Sequence, residues 1–446
     1  MKCAPVGALC EAMGGSLVQG DAKVVISGGV STDTRSLSQG ALFFALKGEN
    51  FDAHHFLAQA ATAGAGALVV ECDDDLPPAL PVIKVHDSLR ALQDLAKWYR
   101  HQLDLKVVVI TGSNGKTSTK DLTHGVLSQR FKVNATRGNL NNHIGLPLTV
   151  LATTEDDEVG VFEVGMNHAG ELAPLCDIAK PEVSIITNIG TAHIEHLGSR
   201  EAIAAEKGAV ARVLDDAGTL LVPSECDFVE DFRSLTRGRV MTVGEGPVRA
   251  ENLVSGSAGS SFDLVIDGLG RAPAAIRVVG RHMVDNALLA AGAGLVLGLE
   301  MDEIVRGLGE ANLTSGRLRQ YQSEGTLVID DTYNANPESV IAALRTLAGI
   351  PGSGRRIAVL GMMAELGDHA REAYPAVARA AQALGVSLVS VGDDAAGYGA
   401  GLHFHTAGEA AVWLDQDRSP GDIVLFKGSR MAAMERVMNQ AFPEPV

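Results

Sequence analysis

The sequence predicts an α/β protein of three domains, on the evidence of its length, its strand pattern and its glycine content. The chain has 446 residues, and a single hydrophobic core usually serves roughly 100–200 residues. Apolar runs of strand length alternate with stretches of helical periodicity, which indicates crossover connections between parallel strands. The composition includes 50 glycines and only 4% aromatic residues. This balance is typical of α/β layers joined by tight turns.

The first domain is predicted over residues 1–102 as a small α/β unit. The expected strands are 41–46, 67–70 and 82–85, and the expected helices are 53–63 and 88–102. The second helix has one apolar face, because its large apolar residues recur at intervals of three and four. A polar linker is expected at 101–106.

The second domain is predicted over residues 103–312, with a mostly parallel sheet. Three apolar runs supply its expected strands: 106–110, 159–164 and 183–189. Runs without polar alternation fit parallel strands that are buried on both faces. The alternating stretch 261–268 indicates some antiparallel sheet. A helix is expected at 285–298, and no membrane span is expected, because the longest apolar stretch is shorter than the about 20 residues that a bilayer requires.

The third domain is predicted over residues 313–446 and is expected to be Rossmann-like. Its expected strands are 326–330, 356–361, 387–392 and 423–428, separated by helices at 338–348, 371–384 and 430–441. Strands that alternate with helices imply right-handed crossovers and a doubly wound sheet.

Charge and cysteine content exclude several classes of protein. The net charge is −17, so the chain has no overall basic footprint for nucleic acid. The five cysteines include no pair at CxxC spacing, which disfavours a zinc cluster or a disulfide framework. The N-terminal segment is a poor signal peptide. A cytoplasmic protein with reduced thiols is therefore expected.

The strongest local motif is VVVITGSNGKTSTK (107–120), an apolar strand followed by a glycine-rich turn and a helical pattern. Such a turn points backbone N–H groups at a phosphate, and the following helix directs its positive end at the same anion. The predicted ATP-binding residues are Gly112, Ser113, Asn114, Gly115, Lys116, Thr117 and Ser118. Lys116 would neutralise phosphate oxygens, and the Thr117 hydroxyl would bind Mg²⁺. The full P-loop pattern has glycine where this chain has Ile110, so the motif is an abbreviated form.

Three further residues beyond the loop point to the same chemistry. Glu163 ends an otherwise apolar strand, where a buried carboxylate is costly unless it binds a cation or a partner. His193 follows another buried strand, and Lys207 lies on a helical pattern after it. A structural ion pair, a packed histidine and a surface cation remain alternatives for these three.

Six stretches resemble, in order, the ATP-dependent Mur ligase family, which also includes folylpolyglutamate synthase. They are TGSNGKTS (111–118), EVGMNHAGEL (163–172), TNIGTAHIEHLGS (187–199), GRHMVDNALLAA (280–291), SGRL (315–318) and DDTYNANPES (330–339). The resemblance implies a domain for the UDP-sugar, an ATPase centre and a Rossmann-like domain.

The resemblance also implies roles for individual residues. Residues matching Glu163 and His193 bind two Mg²⁺ ions in the family, and the lysine matching Lys207 is commonly carbamylated. The match to Asn286 contacts adenine, and the matches to Arg317 and Asp331 reach ATP. For Asn286 the alternative is helix packing, and for the other two it is a hinge-region ion pair.

Within the family, the chain is most similar to the members that add a dipeptide. The stretches 31–56, 136–147, 330–339, 359–369 and 424–437 carry that similarity, and the Asp-Asn-Pro-Arg motif of the diamino-acid-adding members is absent. The implied reaction joins D-Ala-D-Ala to UDP-N-acetylmuramoyl-tripeptide through an acyl phosphate. For the UDP end we predict Thr34, Arg35, Lys47, Asn142 and His143, and we expect a monomer.

Two positions depart from the family pattern. Met283 stands where the family usually has asparagine, and Met362 stands where it usually has aspartate. The second change removes a carboxylate near the expected dipeptide site. Alternative functions are a sister ligase that adds one amino acid, a P-loop switch without ligase chemistry, and a nucleotide-sugar binding module. The last would explain only the first hundred residues.

Overall fold

The structure is a computed structural model that describes residues 1–48, 51–78, 80–256 and 259–443. Glu49 and Asn50, within the family-like stretch 31–56, lie outside the described residues. The chain forms two compact units. Unit 1 comprises Met1–Val109, Phe131–Met166 and Gly170–Glu182, and unit 2 comprises Ile110–Arg130, Asn167–Ala169 and Val183–Val446.

The strands, in chain order, are β1 (Ala4–Pro5), β2 (Ser16–Gln19), β3 (Val25–Ile26), β4 (Val30–Ser31), β5 (Leu42–Phe44), β6 (Ala67–Val70), β7 (Val82–Lys84), β8 (Lys106–Thr111), β9 (Val133–Ala135), β10 (Val159–Glu163), β11 (Val183–Ile186), β12 (Thr219–Pro223), β13 (Arg239–Val243), β14 (Val248–Gly256), β15 (Gly259–Ile266), β16 (Gly270–Ile276), β17 (Arg319–Ser323), β18 (Thr326–Asp331), β19 (Arg356–Leu360), β20 (Ser387–Val391), β21 (Leu402–Phe404) and β22 (Ile423–Lys427).

The α-helices are α1 (Val6–Ala12), α2 (Leu57–Thr62), α3 (Ser88–Arg100), α4 (Lys116–Leu127), α5 (Gly145–Ala152), α6 (Leu172–Ala179), α7 (Ile194–Leu197), α8 (Arg200–Lys207), α9 (Ala209–Arg212), α10 (Val229–Leu235), α11 (Arg281–Val296), α12 (Met301–Glu310), α13 (Pro337–Gly349), α14 (Ala370–Ala383), α15 (Ala407–Asp417) and α16 (Glu435–Ala441). Short 3₁₀ helices span Ala53–Phe56, Gly367–His369, Asp393–Tyr398 and Arg430–Ala432.

Unit 1 contains a five-stranded sheet in the order β2–β7–β6–β5–β4, in which only β2 runs antiparallel to its neighbour. Its core includes Phe43, Leu57, Leu68 and Val82. Every residue of β5 and β6 is buried, as expected for strands that are covered on both faces. Strands β9 and β10 pair in parallel in the same unit.

Helix α3 connects the N-terminal segment of unit 1 to its two later segments. It belongs to Met1–Val109 and packs against α5 and α6, which lie in the later segments. The Tyr99 hydroxyl donates to the carbonyl oxygen of Thr153 at 2.8 Å, and Arg100 Nε donates to that of Ala179 at 2.9 Å. Both donors are buried, so these bonds replace the hydrogen bonds with water that the two side chains lose on folding. The predicted linker therefore begins directly after a helix that is fixed at its end.

Unit 2 contains a run of parallel strands, β11–β12–β13, and an antiparallel hairpin series, β14–β15–β16. Helix α11 packs on α4 and on β12. Glycines permit this close packing: a Cβ atom at Gly294 would lie 2.8 Å from Val126. The predicted buried helix is confirmed, but it begins about one turn earlier than expected, at Arg281.

The C-terminal part of unit 2 is a six-stranded sheet in the order β17–β18–β22–β19–β20–β21. Only β17 is antiparallel, and the other strands pair in parallel register. This order requires crossover helices and confirms the predicted Rossmann-like sheet. The four predicted strands of this part are present, and β17 and β21 were missed because both are edge strands of low apolar content.

One predicted helix is wrong in detail. The expected helix 430–441 is a 3₁₀ turn followed by α16, because Ala433 has a positive φ of 48° that ends the first turn. The cysteines at 3, 10, 72, 176 and 226 are free thiols. Among the described residues, every helix is too short or too polar to traverse a lipid bilayer.

Candidate active site

The glycine-rich loop of unit 2 links the end of β8 to the start of α4. Gly115 precedes the helix with φ of 78°, and Gly112 has φ of 150°, values that side chains with a Cβ rarely adopt. A Cβ atom at Gly112 would lie 1.8 Å from Thr187 Oγ1, so this position also lacks the room for a side chain. Lys116 Nζ donates to the Gly112 carbonyl oxygen at 2.9 Å, which places the cation over its own loop, as anion binding requires.

The loop is held from behind by the segment that follows β11. The backbone N–H of Asn114 donates to Asn188 Oδ1 at 3.0 Å, and Asn188 Nδ2 donates to the Asn114 carbonyl oxygen at 3.1 Å. The Gly190 N–H donates to Ser113 Oγ at 2.9 Å. These reciprocal bonds fix the loop before any ligand binds, and such preorganisation lowers the cost of binding.

A second set of contacts reaches the loop from the start of α13. Asn336 Nδ2 donates to Asn114 Oδ1 at 2.7 Å. The Glu338 carboxylate accepts two bonds of 2.9 Å from Thr191, one from its N–H and one from its hydroxyl. Asn336 also caps α13, since its side chain accepts from the Ser339 N–H. The C-terminal sheet region is thereby tied to the loop through one capped helix terminus.

His193 lies after this segment with a left-handed backbone, φ 65°. Its Nδ1 atom is 2.5 Å from Glu365 Oε2. The bond with His193 lowers the pKa of Glu365, so the carboxylate is ionised near neutrality. A carboxylate on one ring nitrogen orients the imidazole and leaves Nε2 as the other nitrogen for a metal ion.

Lys207, at the end of α8, is not the surface cation that its sequence context allowed. Its side chain is 1% exposed. Burial lowers the pKa of Lys207 well below its ordinary value, and the charge of Lys116 lowers it further. A lysine whose ammonium form is disfavoured loses its proton more readily, and the neutral amine can act as a nucleophile.

Three predicted ATP contacts also lie in unit 2. Asn286 is buried beside the loop, where a Cβ atom at Gly115 would come within 2.8 Å of its Oδ1 atom. Arg317 Nη2 donates to Thr117 Oγ1 at 3.0 Å, and the guanidinium stacks 4.1 Å from the ring centroid of Tyr333. Arg317 is therefore a partner of the phosphate loop and not of a hinge carboxylate.

Asp331 forms a buried ion pair with Lys427, at 2.6 Å between Oδ2 and Nζ. Lys427 also donates to the Asn334 carbonyl oxygen at 2.8 Å. Removing one partner of a buried pair leaves an uncompensated charge, at a cost of about 3–5 kcal/mol. The contact of Asp331 in this structure is therefore an ion pair, as in the alternative considered for it. Through Lys427, this pair fixes the first turn after β18.

In unit 1, Glu163 ends β10 with 3% of its surface exposed. Its Oε1 atom accepts from Asn141 Nδ2 at 2.8 Å, and its backbone N–H donates to Thr136 Oγ1 at 2.9 Å. Thr136 and Asn141 both belong to the stretch 136–147, which resembles the substrate loop of the family. One buried carboxylate is thus coupled to that loop.

The predicted UDP-end residues of unit 1 are mostly exposed. Arg35 is bidentate to Asp33, with Nη2 to Oδ2 at 2.7 Å, and 84% of its side chain is exposed. Lys47 lies 3.7 Å from Asp52 and is 62% exposed. Thr34 is half-buried in the same turn as Arg35. Both cations are thus paired with neighbouring carboxylates.

The other two predicted residues of this group lie at the start of α5. Asn142 Oδ1 accepts from the Gly145 N–H at 2.9 Å, and the His143 carbonyl oxygen accepts from Gln93 Nε2 at 3.1 Å. Both side chains are exposed. The side chain of Asn142 therefore shapes the turn, and its amide nitrogen is the atom directed to other partners.

Comparison with known proteins identifies the relatives of this chain. Residues 27–100 match the description "Mur ligase family, catalytic domain", residues 110–294 match "Mur ligase middle domain", and residues 316–430 match "Mur ligase, glutamate ligase domain". The UDP-N-acetylmuramoyl-tripeptide–D-alanyl-D-alanine ligase of Bacillus subtilis is 34% identical over 98% of both chains. The ligase of the same name from Escherichia coli is 38% identical over 92% of both.

The chain belongs to the Mur ligase family. The Mur ligase structures agree with the sequence matches over the whole length. A crystal structure of MurF from Acinetobacter baumannii superimposes with a TM-score of 0.93 at 34% identity, covering 100% of both chains. The MurF ligase of Thermotoga maritima in complex with ADP gives a TM-score of 0.84 at 25% identity, covering 93% of this chain and 97% of the other. The resemblance inferred from six motifs is therefore confirmed.

Several contacts of this Mur ligase were not predicted from the sequence. Asn188, Glu338 and Glu365 lie in stretches that were quoted for the family resemblance, but nothing in their spacing indicated their partners. Asn141 lies beside two residues that were selected from the same loop. Position was a usable signal for two of them, since Asn188 lies two residues after β11 and Glu338 lies in the first turn of α13, where polar groups converge in α/β proteins. Asn141 and Glu365 lie in loops, several residues away from any strand end or α-helix start.

Proposed function

We propose that this chain joins D-Ala-D-Ala to UDP-N-acetylmuramoyl-tripeptide, with conversion of ATP to ADP and phosphate. The observation that carries the proposal is similarity over the full length to ligases of that name. The preorganised phosphate loop supports ATP as the energy source, as does the ADP complex of the relative from Thermotoga maritima. The reaction is the last cytoplasmic peptide-adding step of peptidoglycan precursor synthesis, and we expect a cytoplasmic monomer.

We assign the three stages of binding to three segments of the chain. Residues 1–102 bind the UDP-sugar, residues 103–312 bind ATP, and residues 313–446 complete the site for the amine acceptor. The family matches at 27–100, 110–294 and 316–430 each fall within one of these three segments. The stretch 136–147 adds Asn142 and His143 to the substrate residues Thr34, Arg35 and Lys47.

The residues suited to hold magnesium are Thr117, Glu163, His193 and Lys207. The test of fit is chemical: Thr117 and Glu163 are buried oxygen donors, and Mg²⁺ prefers oxygen ligands. When bound, two Mg²⁺ ions would neutralise phosphate oxygens as charge develops on them. His193 is held for such a role by Glu365 on its other nitrogen.

Lys207 fits the family's carbamylated lysine because its surroundings disfavour an ammonium. Addition of its neutral amine to CO₂ forms an N–C bond and releases a proton, which leaves a carboxylate-like anion. That anion relieves the repulsion between Lys207 and Lys116 that lowers the pKa of the free amine. A carbamylated Lys207 would then support the second metal ion.

In the first chemical step, the terminal carboxylate of the precursor attacks the γ-phosphorus of ATP, and ADP leaves. The residues of this chain offset the negative charge that gathers there. Lys116 provides a cation at the loop, and the N-terminus of α4 provides backbone N–H groups. Arg317 contacts Thr117 of the loop, which supports a role for its guanidinium at the same phosphates. We assign Asn286 to the adenine and Asp331 to contact with ATP.

In the second step, the amine of D-Ala-D-Ala attacks the acyl phosphate carbon, phosphate leaves, and the amine loses a proton. Amide formation from free acid and amine is uphill in water, so the acyl phosphate supplies the driving force. Positioning of the two reactants can contribute up to roughly 7–11 kcal/mol of the acceleration. Tight coupling of the loop, α13 and His193 serves this positioning.

The test is phosphate release from ATP by the purified protein with Mg²⁺, omitting each substrate in turn. We expect release only when both UDP-N-acetylmuramoyl-tripeptide and D-Ala-D-Ala are present, with a product heavier by the dipeptide. Release that ignores both substrates would favour a P-loop switch and overturn the proposal. Release with the precursor and a single amino acid would retain the family and replace the acceptor.

A further inference from the structure

The edge of the C-terminal sheet in unit 2 carries two histidines that play no part in the proposed ligase reaction. Strand β21 is the edge strand and pairs in parallel with β20. His403 lies within β21, and His405 follows it directly. Residues two positions apart on extended chain project to the same face, so both imidazoles stand side by side. Their ring centroids are 5.1 Å apart.

Asp393 completes a cluster with these two rings. It begins the 3₁₀ helix after β20, and the Gly392 N–H donates to the Phe404 carbonyl oxygen at 2.8 Å, which joins this turn to β21. One ligand atom each from Asp393, His403 and His405 lies within 4.8 Å of the others. The carboxylate Oδ1 of Asp393 is 2.5 Å from His405 Nδ1.

A buried hydroxyl fixes the orientation of one ring. Ser390 Oγ lies 2.9 Å from His403 Nδ1, and Ser390 is completely buried on β20, directly opposite His403 in the strand register. Metal-binding histidines usually engage their second ring nitrogen in such a bond, which sets the tautomer and aims the first nitrogen. Here Nε2 of His403 is the nitrogen left for a ligand.

We propose that Asp393, His403 and His405 form a binding site for a divalent transition-metal ion of the zinc type. Two imidazoles and one carboxylate are a ligand set that suits Zn²⁺, whereas Mg²⁺ favours oxygen ligands alone. The side chains of Asp393 and His405 are 82% and 70% exposed. The site is therefore open, and water would take the fourth position of a tetrahedral ion.

The alternative is a surface ion pair between Asp393 and His405 with His403 as a bystander. The two interpretations differ in geometry. Zinc ligands at about 2.0–2.1 Å from a tetrahedral ion stand about 3.3 Å apart, so a bound ion would widen the present contact between Asp393 and His405. It would also bring His403 into the group, which an ion pair does not require.

The experiment is a Zn²⁺ titration of the full-length protein, stripped with a chelator and then kept in excess Mg²⁺ with ADP so that the catalytic residues are engaged. We expect one zinc equivalent that is lost in the His403→Ala/His405→Ala double variant. Ser390→Ala should weaken that equivalent by about 10–100-fold while leaving the count unchanged. Replacing Zn²⁺ by Co²⁺ should give the absorption of a four-coordinate ion in the wild type and not in the double variant.

The control is His86→Ala, which removes an exposed histidine of unit 1 and should bind zinc as the wild type does. Thermal unfolding with and without Zn²⁺ checks each variant, because a ligand that binds only the folded chain raises its Tm. Equal zinc affinity and count in the wild type and the folded double variant would overturn the proposal. His405→Ala, at a highly exposed position, is the fallback if the double variant does not fold.

Discussion

The phosphate loop of unit 2 and the cationic turn of unit 1, which is the stretch that carries Arg35 and Lys47, are built in opposite ways. In the loop, the candidate residues are buried or half-buried, and several are held by partners distant in sequence, such as Asn188 on Asn114 or Arg317 on Thr117. In the turn, Arg35 and Lys47 are exposed and pair with carboxylates two and five positions away along the chain. One region is fixed before binding, and the other must exchange its partners.

This difference predicts which kinetic constant a substitution in each region should change. A preorganised loop stabilises developing charge without rearrangement, so substitutions there should lower kcat. Exposed ion pairs contribute little to stability, about 0–1 kcal/mol, and their cations are easily released to a diphosphate. Substitutions in the turn should therefore raise KM for the UDP precursor and leave the fold intact.

The largest effect is expected for Lys116→Ala. Loss of the side-chain cation that donates to the loop carbonyl of Gly112 should reduce kcat by about 10³-fold, as removal of a charge-stabilising donor does. Phosphate release with both substrates is the measurement. Lys132→Ala, an exposed lysine of unit 1, is the matched control. Unchanged kcat in Lys116→Ala would remove the loop from the mechanism.

A smaller loss is expected when the contact between α13 and the His193 segment is weakened. Glu338→Ala removes both acceptors of Thr191 and should lower kcat by about 30-fold, since bonds to a charged group contribute about 1.5–3 kcal/mol. Glu338→Gln retains one acceptor oxygen, so its kcat should lie between those of the wild type and Glu338→Ala. The double variant with Thr191→Val should lose little more than Glu338→Ala alone; additive losses would show that the two residues act separately.

In the exposed turn, Arg35→Ala should raise KM for the UDP precursor by about 10-fold, because a charge-assisted bond to the diphosphate is lost. The value of kcat should be unchanged. Steady-state kinetics at saturating ATP and dipeptide give both constants, and Arg90→Ala, on the exposed surface of α3 in the same unit, provides the comparison. An unchanged KM would exclude Arg35 from the UDP site.

The smallest effect concerns the pH dependence of stability. Burial, and then the charge of Lys427, lower the pKa of His282 from 6.5 to about 4. Below pH 6.5 the unfolded chain binds a proton that the folded chain rejects, so the stability is present above pH 6.5 and declines as pH falls toward 4. His282→Gln should reduce this decline by about 1 kcal/mol.

Urea unfolding at pH 7.5 and pH 6 measures the change in the free energy of unfolding. His55→Gln, at an exposed position of unit 1, should leave the decline as it is. If His282→Gln and His55→Gln lose the same stability between the two pH values, His282 does not cause the decline and the prediction is wrong.

Much of the fold followed from patterns in the chain. Parallel strands that are buried on both faces leave long apolar runs, and all four predicted strands of the C-terminal sheet were located within a residue or two. Strands β14 and β16 were missed, because only the alternation around β15 is clear in sequence and their partners lack it. The helix at 430–441 was predicted as continuous, since the left-handed conformation of Ala433 leaves no mark in residue type.

The sequence by itself determined the phosphate loop, the buried carboxylate and the order of the domains, because glycines, a lysine and a charge in an apolar strand are local requirements of the chemistry. Only the tertiary structure decided that Lys207 is buried, that Glu365 orients His193 and that Asn336 reaches Asn114. These facts depend on segments distant in sequence, and the burial that changes a pKa or selects a hydrogen-bond partner exists only when those segments have packed together.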